Sequence, residues 1–260
     1  MTHPRSALPR RDDADPLVPR FNRIEARKGS GSASDLCQGA GLSTPSPLTG
    51  RRKTHHFDWR EVLGWLGSVV TPTEGTPVER TQDPTHLAWI DLEMTGLDPL
   101  CDDILQAALM VTTADLEVLE EYACDVWQPE SSLAKMRPFV RDMHTTTGLL
   151  KRVRQSRMDL GAAERALLER VAGWCPYPAI LCGNSVGHDK RFLEQHMPGL
   201  NAYLSYRVLD VSSVKLLASR WYGEASVFVK PEVGAHDALV DIKNSVAELA
   251  HYRATLFRRS

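Results

Sequence analysis

The chain has 260 residues, 42% of them hydrophobic and 25% charged, which suits one ordinary core plus additional sequence. No run of 18 apolar residues occurs, so no segment reads as a membrane-spanning helix. The net charge of −2 is uneven: residues 1–80 hold 12 Lys+Arg against 9 Asp+Glu (+3), leaving 19 against 24 (−5) for residues 81–260. An acidic main segment argues against a protein that grips long duplex through many phosphate contacts, because each contact needs a cation.

Residues 1–80 are rich in Pro, Gly, Ser, Thr and Arg, as in Gly29–Ser34 and Ser43–Pro47. Such sequence buries too little apolar surface to offset the entropy of ordering, so a disordered extension is expected. Within it, Trp59, Val62, Leu63 and Leu66 fall at helical spacing and predict a short transient helix over Phe57–Leu66. Asp12, Asp13, Asp15 and Glu25 are out of place in a mitochondrial transit peptide. The five cysteines (Cys37, Cys101, Cys124, Cys175, Cys182) are scattered, with no CxxC pair, and read as reduced thiols of a cytoplasmic protein; a mitochondrial location is the alternative.

The expected folded domain spans residues 81–260. His86–Asp91, Ile104–Thr113 and Val118–Val126 read as three strands of an antiparallel meander, turning at Thr113–Asp115. Phe139–Arg154 reads as one or two helices interrupted near Thr147–Gly148. Asp159–Trp174 is an amphipathic helix with Leu160, Ala163, Leu167, Val171 and Trp174 along one side. A strand at Ala179–Gly183, a helix at His188–His196, a strand at Arg207–Asp210 and helices at Ser212–Tyr222 and His236–Tyr252 follow. Three meander strands followed by alternating helices and strands predict an α/β domain: a mixed five-stranded sheet flanked by helices.

Chemistry concentrates at three places. Asp91 and Glu93 end the first strand two residues apart, so both carboxylates project from one face. Like charges beside apolar Leu87, Trp89 and Ile90 are unfavourable unless a divalent cation binds them. Asp189 opens a helix after the polar turn Gly183–Gly187. His236 and Asp241 bracket the start of the last helix. Five residues of regular helix are about 500° of rotation, which leaves two side chains roughly 140° apart, so His236 is expected in the preceding loop or first turn. Each feature alone is a common structural device. Together, four acids and one His match phosphodiester hydrolysis with two metal ions, Mg²⁺ or Mn²⁺ by the oxygen-only ligands, and His236 as general base.

Trp89–Leu97, Cys182–Leu193, Tyr206–Ser212 and Ser245–Arg253 resemble oligoribonuclease, a family of DEDDh exonucleases with the ribonuclease-H-like fold. The resemblance covers about residues 85–255. It implies a 3′-to-5′ exoribonuclease acting as a homodimer on short single-stranded RNA of two to about five nucleotides, 5′-phosphorylated dinucleotides above all. By position it implies a catalytic set of Asp91, Glu93, Asp189, His236 and Asp241, with the four acids as metal ligands. It also implies that Leu97 and Phe139 wedge against the bases, that His144 lines the pocket, that Ser185, Arg207, Ser212 and Ser213 cap the 5′-phosphate, and that Tyr206 comes from the partner subunit. The sequence departs from the family pattern at Phe139, where Trp is usual, at Val240, where a first Asp is usual, and at His188, where Gln is common. A DEDDh exonuclease acting on DNA or longer RNA ends is the alternative, and a non-catalytic RNA binder on the same fold the third reading. Intact acids argue against the latter, and the cap residues against the former.

Overall fold

A computed structural model of the protein describes residues 79–230 and 236–257. The expected extension lies almost wholly outside them, and Phe57–Leu66 entirely so. Five strands, β1 (Leu87–Met94), β2 (Ile104–Thr112), β3 (Val118–Asp125), β4 (Ala179–Gly183) and β5 (Leu204–Asp210), form one sheet in the order β3-β2-β1-β4-β5. β1, β2 and β3 pair antiparallel, while β4 lies parallel to both β1 and β5. The α-helices among the described residues are α1 (Glu130–Leu133), α2 (Pro138–Thr146), α3 (Leu149–Gln155), α4 (Leu160–Trp174), α5 (Gly187–His196), α6 (Pro198–Tyr203), α7 (Val211–Tyr222) and α8 (Ala238–Thr255), with a 3₁₀ turn at Glu224–Ser226.

All nine residues of β2 are buried, which explains its near-continuous apolar sequence. The sheet separates two cores. On one side Ile90, Leu92 and Leu109 pack with Leu167 and Val171 of α4 and with Phe192 and Leu193 of α5. On the other, Trp89, Met110 and Cys182 pack with Ile242 and Tyr252 of α8. Each such side chain contributes about 1.5–3 kcal/mol by burial. β1 is therefore clamped from both faces at the residues flanking its two acids.

The expected mixed α/β architecture is present, with shifted boundaries. β1 continues through Met94, so the Asp91/Glu93 pair lies inside the strand and not at its end; antiparallel pairing with β2 carries it on, with a bulge between Glu93 and Met94. β5 begins at Leu204, before Arg207. α1 and α6 were not expected; they are four and six residues long, too short for a helical period to show. The break between α2 and α3 falls at Gly148, whose φ of 73° is costly for a residue with a side chain. The last helix starts at Ala238, with Asp237 as N-cap accepting from the Val240 N–H.

Candidate active site

Asp91 and Glu93 project from the centre of the sheet, where β1 lies between β2 and β4. Asp189, buried in the first turn of α5, crosses to β1: its Oδ1 accepts the Leu92 N–H at 3.0 Å, between the two strand acids. Asp241 faces the same place from the first turn of α8, and its Oδ2 accepts the His236 N–H at 3.1 Å. His236 stands outside α8 in the left-handed region, at φ 67°. That turn removes the roughly 140° separation an unbroken helix would impose. A His236 ring nitrogen and single carboxylate oxygens of Glu93 and Asp241 lie within 4.8 Å of one another, a spacing one metal ion could bridge.

Electrostatics mark these acids as short of positive charge. Burial, then repulsion from Asp189, Glu93 and Asp241, pushes the Asp91 carboxyl well above the usual carboxylate range. Burial and the charges of Asp241, Asp189 and Asp237 push Glu93 up to about 8. Asp189 rises to about 7, burial outweighing the N–H groups that bind it. Asp241 is raised by burial and partly restored by His236. The acids convene where ionising them together is unfavourable, and divalent cations are the chemistry that reverses this. Carboxylate oxygens are hard donors suited to a divalent cation.

A pH dependence follows. A carboxyl with a folded-state pKa raised to about 7 or 8 stabilises the fold fully below the unfolded value near 4, and that stability is lost as pH rises through the folded value. Metal-free protein is therefore expected to melt at lower temperature at pH 8 than at pH 5, and excess Mg²⁺ at pH 8 to restore the difference. Thermal melts with and without chelator check this. A metal-free melting temperature that rises over the same range would contradict it.

The remaining candidates differ in exposure and contacts. Leu97 and Phe139 are 67% and 77% exposed, apolar side chains free to meet a ligand. The Leu97 loop is tight: a Cβ at Gly96 would fall on the Asp102 carboxylate, which binds Thr95 Oγ1 at 3.0 Å and the Asp98 N–H at 3.0 Å. His144 is fully buried. Its Nε2 lies 2.9 Å from the Met94 carbonyl and its Nδ1 3.9 Å from Glu93 Oε2, so it packs beneath the strand acid and not on open pocket surface. Ser185 and Ser212 meet at 3.2 Å between their hydroxyls, beside exposed Ser213. Exposed Arg207 stands 5.3 Å from the Tyr206 ring.

Sequence reasoning missed Asp237, whose charge bears on both Glu93 and Asp241, and Lys230, whose charge favours ionised Asp91 and Asp241. It also missed Glu248, which is fully buried. The buried stripe Ala238, Ile242, Ser245, Tyr252 could have placed Glu248 inside, since i+3 and i+4 neighbours share a helix face.

A model of the RNase_T exonuclease family matches residues 88–249. The oligoribonuclease of Sodalis glossinidius (strain morsitans) is 47% identical over 175 residues, covering 66% of this chain and 96% of that protein. The oligoribonuclease of Photorhabdus laumondii subsp. laumondii is 48% identical over 170 residues, covering 65% and 93%. Among solved structures, E. coli exonuclease I in complex with a 5cy-dT13 oligonucleotide matches with TM-score 0.54 at 15% identity, over 67% of this chain and 42% of that one. Exonuclease I from Methylocaldum szegediense matches with TM-score 0.52 at 17% identity, over 66% and 41%. At such identity the structural likeness establishes the fold alone, and this chain spans about two fifths of those proteins' length.

Proposed function

The chain belongs to the oligoribonuclease family of exonucleases, and from that premise we propose that it is a 3′-to-5′ exoribonuclease that hydrolyses very short RNA, 5′-phosphorylated dinucleotides above all, to mononucleotides. The observation that carries this is the convergence of Asp91, Glu93, Asp189 and Asp241 with His236. Two divalent ions, Mg²⁺ or Mn²⁺, held by the four acids would supply positive charge, acidify the attacking water and stabilise the leaving oxygen. His236 takes the proton from that water. Asp241, bound to the His236 backbone N–H, holds the turn that carries the imidazole. His144 packs against Glu93, its Nδ1 3.9 Å from Glu93 Oε2.

Leu97 and Phe139 receive the bases, and a base–aromatic stack at Phe139 is worth about 1–3 kcal/mol. Ser185, Ser212, Ser213 and Arg207 close over the 5′-phosphate, Arg207 by the paired N–H donors of its guanidinium. A closed cap leaves no exit for a longer strand and gives a dinucleotide binding energy its few atoms would otherwise lack. Tyr206 and Val208 on edge strand β5 and Leu216, Leu217, Trp221 and Tyr222 on α7 are exposed apolar side chains of the kind a second copy of the chain would cover. That dimer brings each Tyr206 to the partner's substrate.

Arg207→Ala is expected to lower kcat/KM on a 5′-phosphorylated RNA dinucleotide by roughly ten- to a hundredfold, the size of a charge-assisted contact. Cleavage of a longer oligonucleotide without a 5′-phosphate should change far less. Equal losses on the two substrates would remove the cap and favour an exonuclease of broader range.

A further inference from the structure

Behind the serines that meet at the cap lies a carboxylate outside the proposed chemistry. Glu248 is 0% exposed in the middle of α8. Its Oε2 accepts from Asn184 Nδ2 at 3.0 Å and pairs with Lys230 Nζ at 3.3 Å. Its Oε1 accepts from the Tyr252 hydroxyl at 3.0 Å, with Lys215 Nζ at 4.0 Å. The Asn184 NH₂ and the two lysine ammonium groups can only donate, so both Glu248 oxygens are used as acceptors.

This fixes Asn184. Ser245 donates its proton to the Asp241 carbonyl at 2.8 Å, so toward Asn184 it can only accept, at 2.9 Å. With Glu248 and Ser245 both demanding the NH₂ side, Asn184 Oδ1 must face Ser212, whose hydroxyl donates to it at 3.2 Å. Ser212 Oγ is thereby turned to accept the Ser185 N–H at 2.9 Å, a bond shared with Asp210 Oδ1 at 3.0 Å. Ser185 needs such a hold, because its φ of 52° lies in the left-handed region that non-glycine residues rarely adopt.

We propose that Glu248 is a positioning residue for 5′-phosphate recognition, acting through the orientation of the Asn184 amide on Ser212 and Ser185; this rests on the capped-dinucleotide reading above. A glutamine at 248 has the same shape but keeps a single acceptor oxygen, so its NH₂ group meets either Asn184 and Lys230 or Tyr252 and Lys215. In the first orientation relief comes by turning Asn184 over, which reverses the hydrogen bond at Ser212 and loosens Ser185. The consequence is specific to the phosphate end of the substrate. A buried Glu–Lys pair that merely stabilised the fold would affect all substrates alike.

The test is steady-state kinetics of the full chain on 5′-phosphorylated and 5′-hydroxyl RNA dinucleotides, for wild type, Glu248→Gln and Asn184→Ala. In both variants KM for the phosphorylated substrate should rise about tenfold or more, with a smaller change in kcat, and the preference for phosphate should fall. A wild type without that preference refutes the cap and this role with it. A wild-type preference that survives in both variants overturns the role of Glu248 and leaves the cap standing. Should Glu248→Gln fail to fold by circular dichroism, Asn184→Ala, which leaves Glu248 its lysine and tyrosine partners, decides by the same ratio.

Discussion

Asp91→Asn is expected to lower kcat on a 5′-phosphorylated RNA dinucleotide by about 10³-fold, roughly 4 kcal/mol of transition-state stabilisation, and to stabilise the metal-free protein. The two effects share one cause. Asp91 is half-buried beside Asp189, Glu93 and Asp241, and its ionised form is opposed by all three. A neutral amide relieves that repulsion, so the melting temperature without metal should rise by roughly 2–8 °C, or about 1–2 kcal/mol. The same amide is a poor metal ligand. Titration calorimetry with Mn²⁺ should therefore show weakened binding alongside lost turnover. A variant that is inactive and also less stable without metal would point to a structural role for Asp91.

His236→Ala separates proton transfer from metal holding. Its kcat should fall by about 10²- to 10⁴-fold, the range expected for removing a general base. The ring nitrogen is close enough to Glu93 and Asp241 to be a ligand itself. Mn²⁺ affinity within a few-fold of wild type would assign His236 to the proton, whereas affinity lost in parallel with turnover would assign it to the metal. The fold should be unaffected, since His236 is exposed and outside α8.

Much of this was legible in the sequence because it depends on local spacing. The two-residue separation in Asp91-Leu-Glu93 fixes a shared strand face, and the five-residue separation from His236 to Asp241 forces the histidine off the helix, as the positive φ at His236 shows. Strand β4 and the Gly148 break were readable from an apolar run and a glycine. What escaped depends on contacts distant in sequence. The Asp189 bond to Leu92 joins residues 97 positions apart, and Asn184 meets Glu248 across 64. His144 illustrates the same gap: its position matches a pocket residue, but only the packing of α2 beneath β1 reveals that it is buried against Glu93. α1 and α6 carried too few residues to display a period.

We propose a metal-dependent site shaped for the last few nucleotides of RNA. A time course on 5′-labelled RNAs of two to ten nucleotides, with Mn²⁺ and with chelator, tests it most directly. The dinucleotide should disappear fastest by a wide margin, longer RNAs should shorten slowly if at all, and chelator should stop every reaction. Equal rates across lengths, or turnover that persists in chelator, would contradict it.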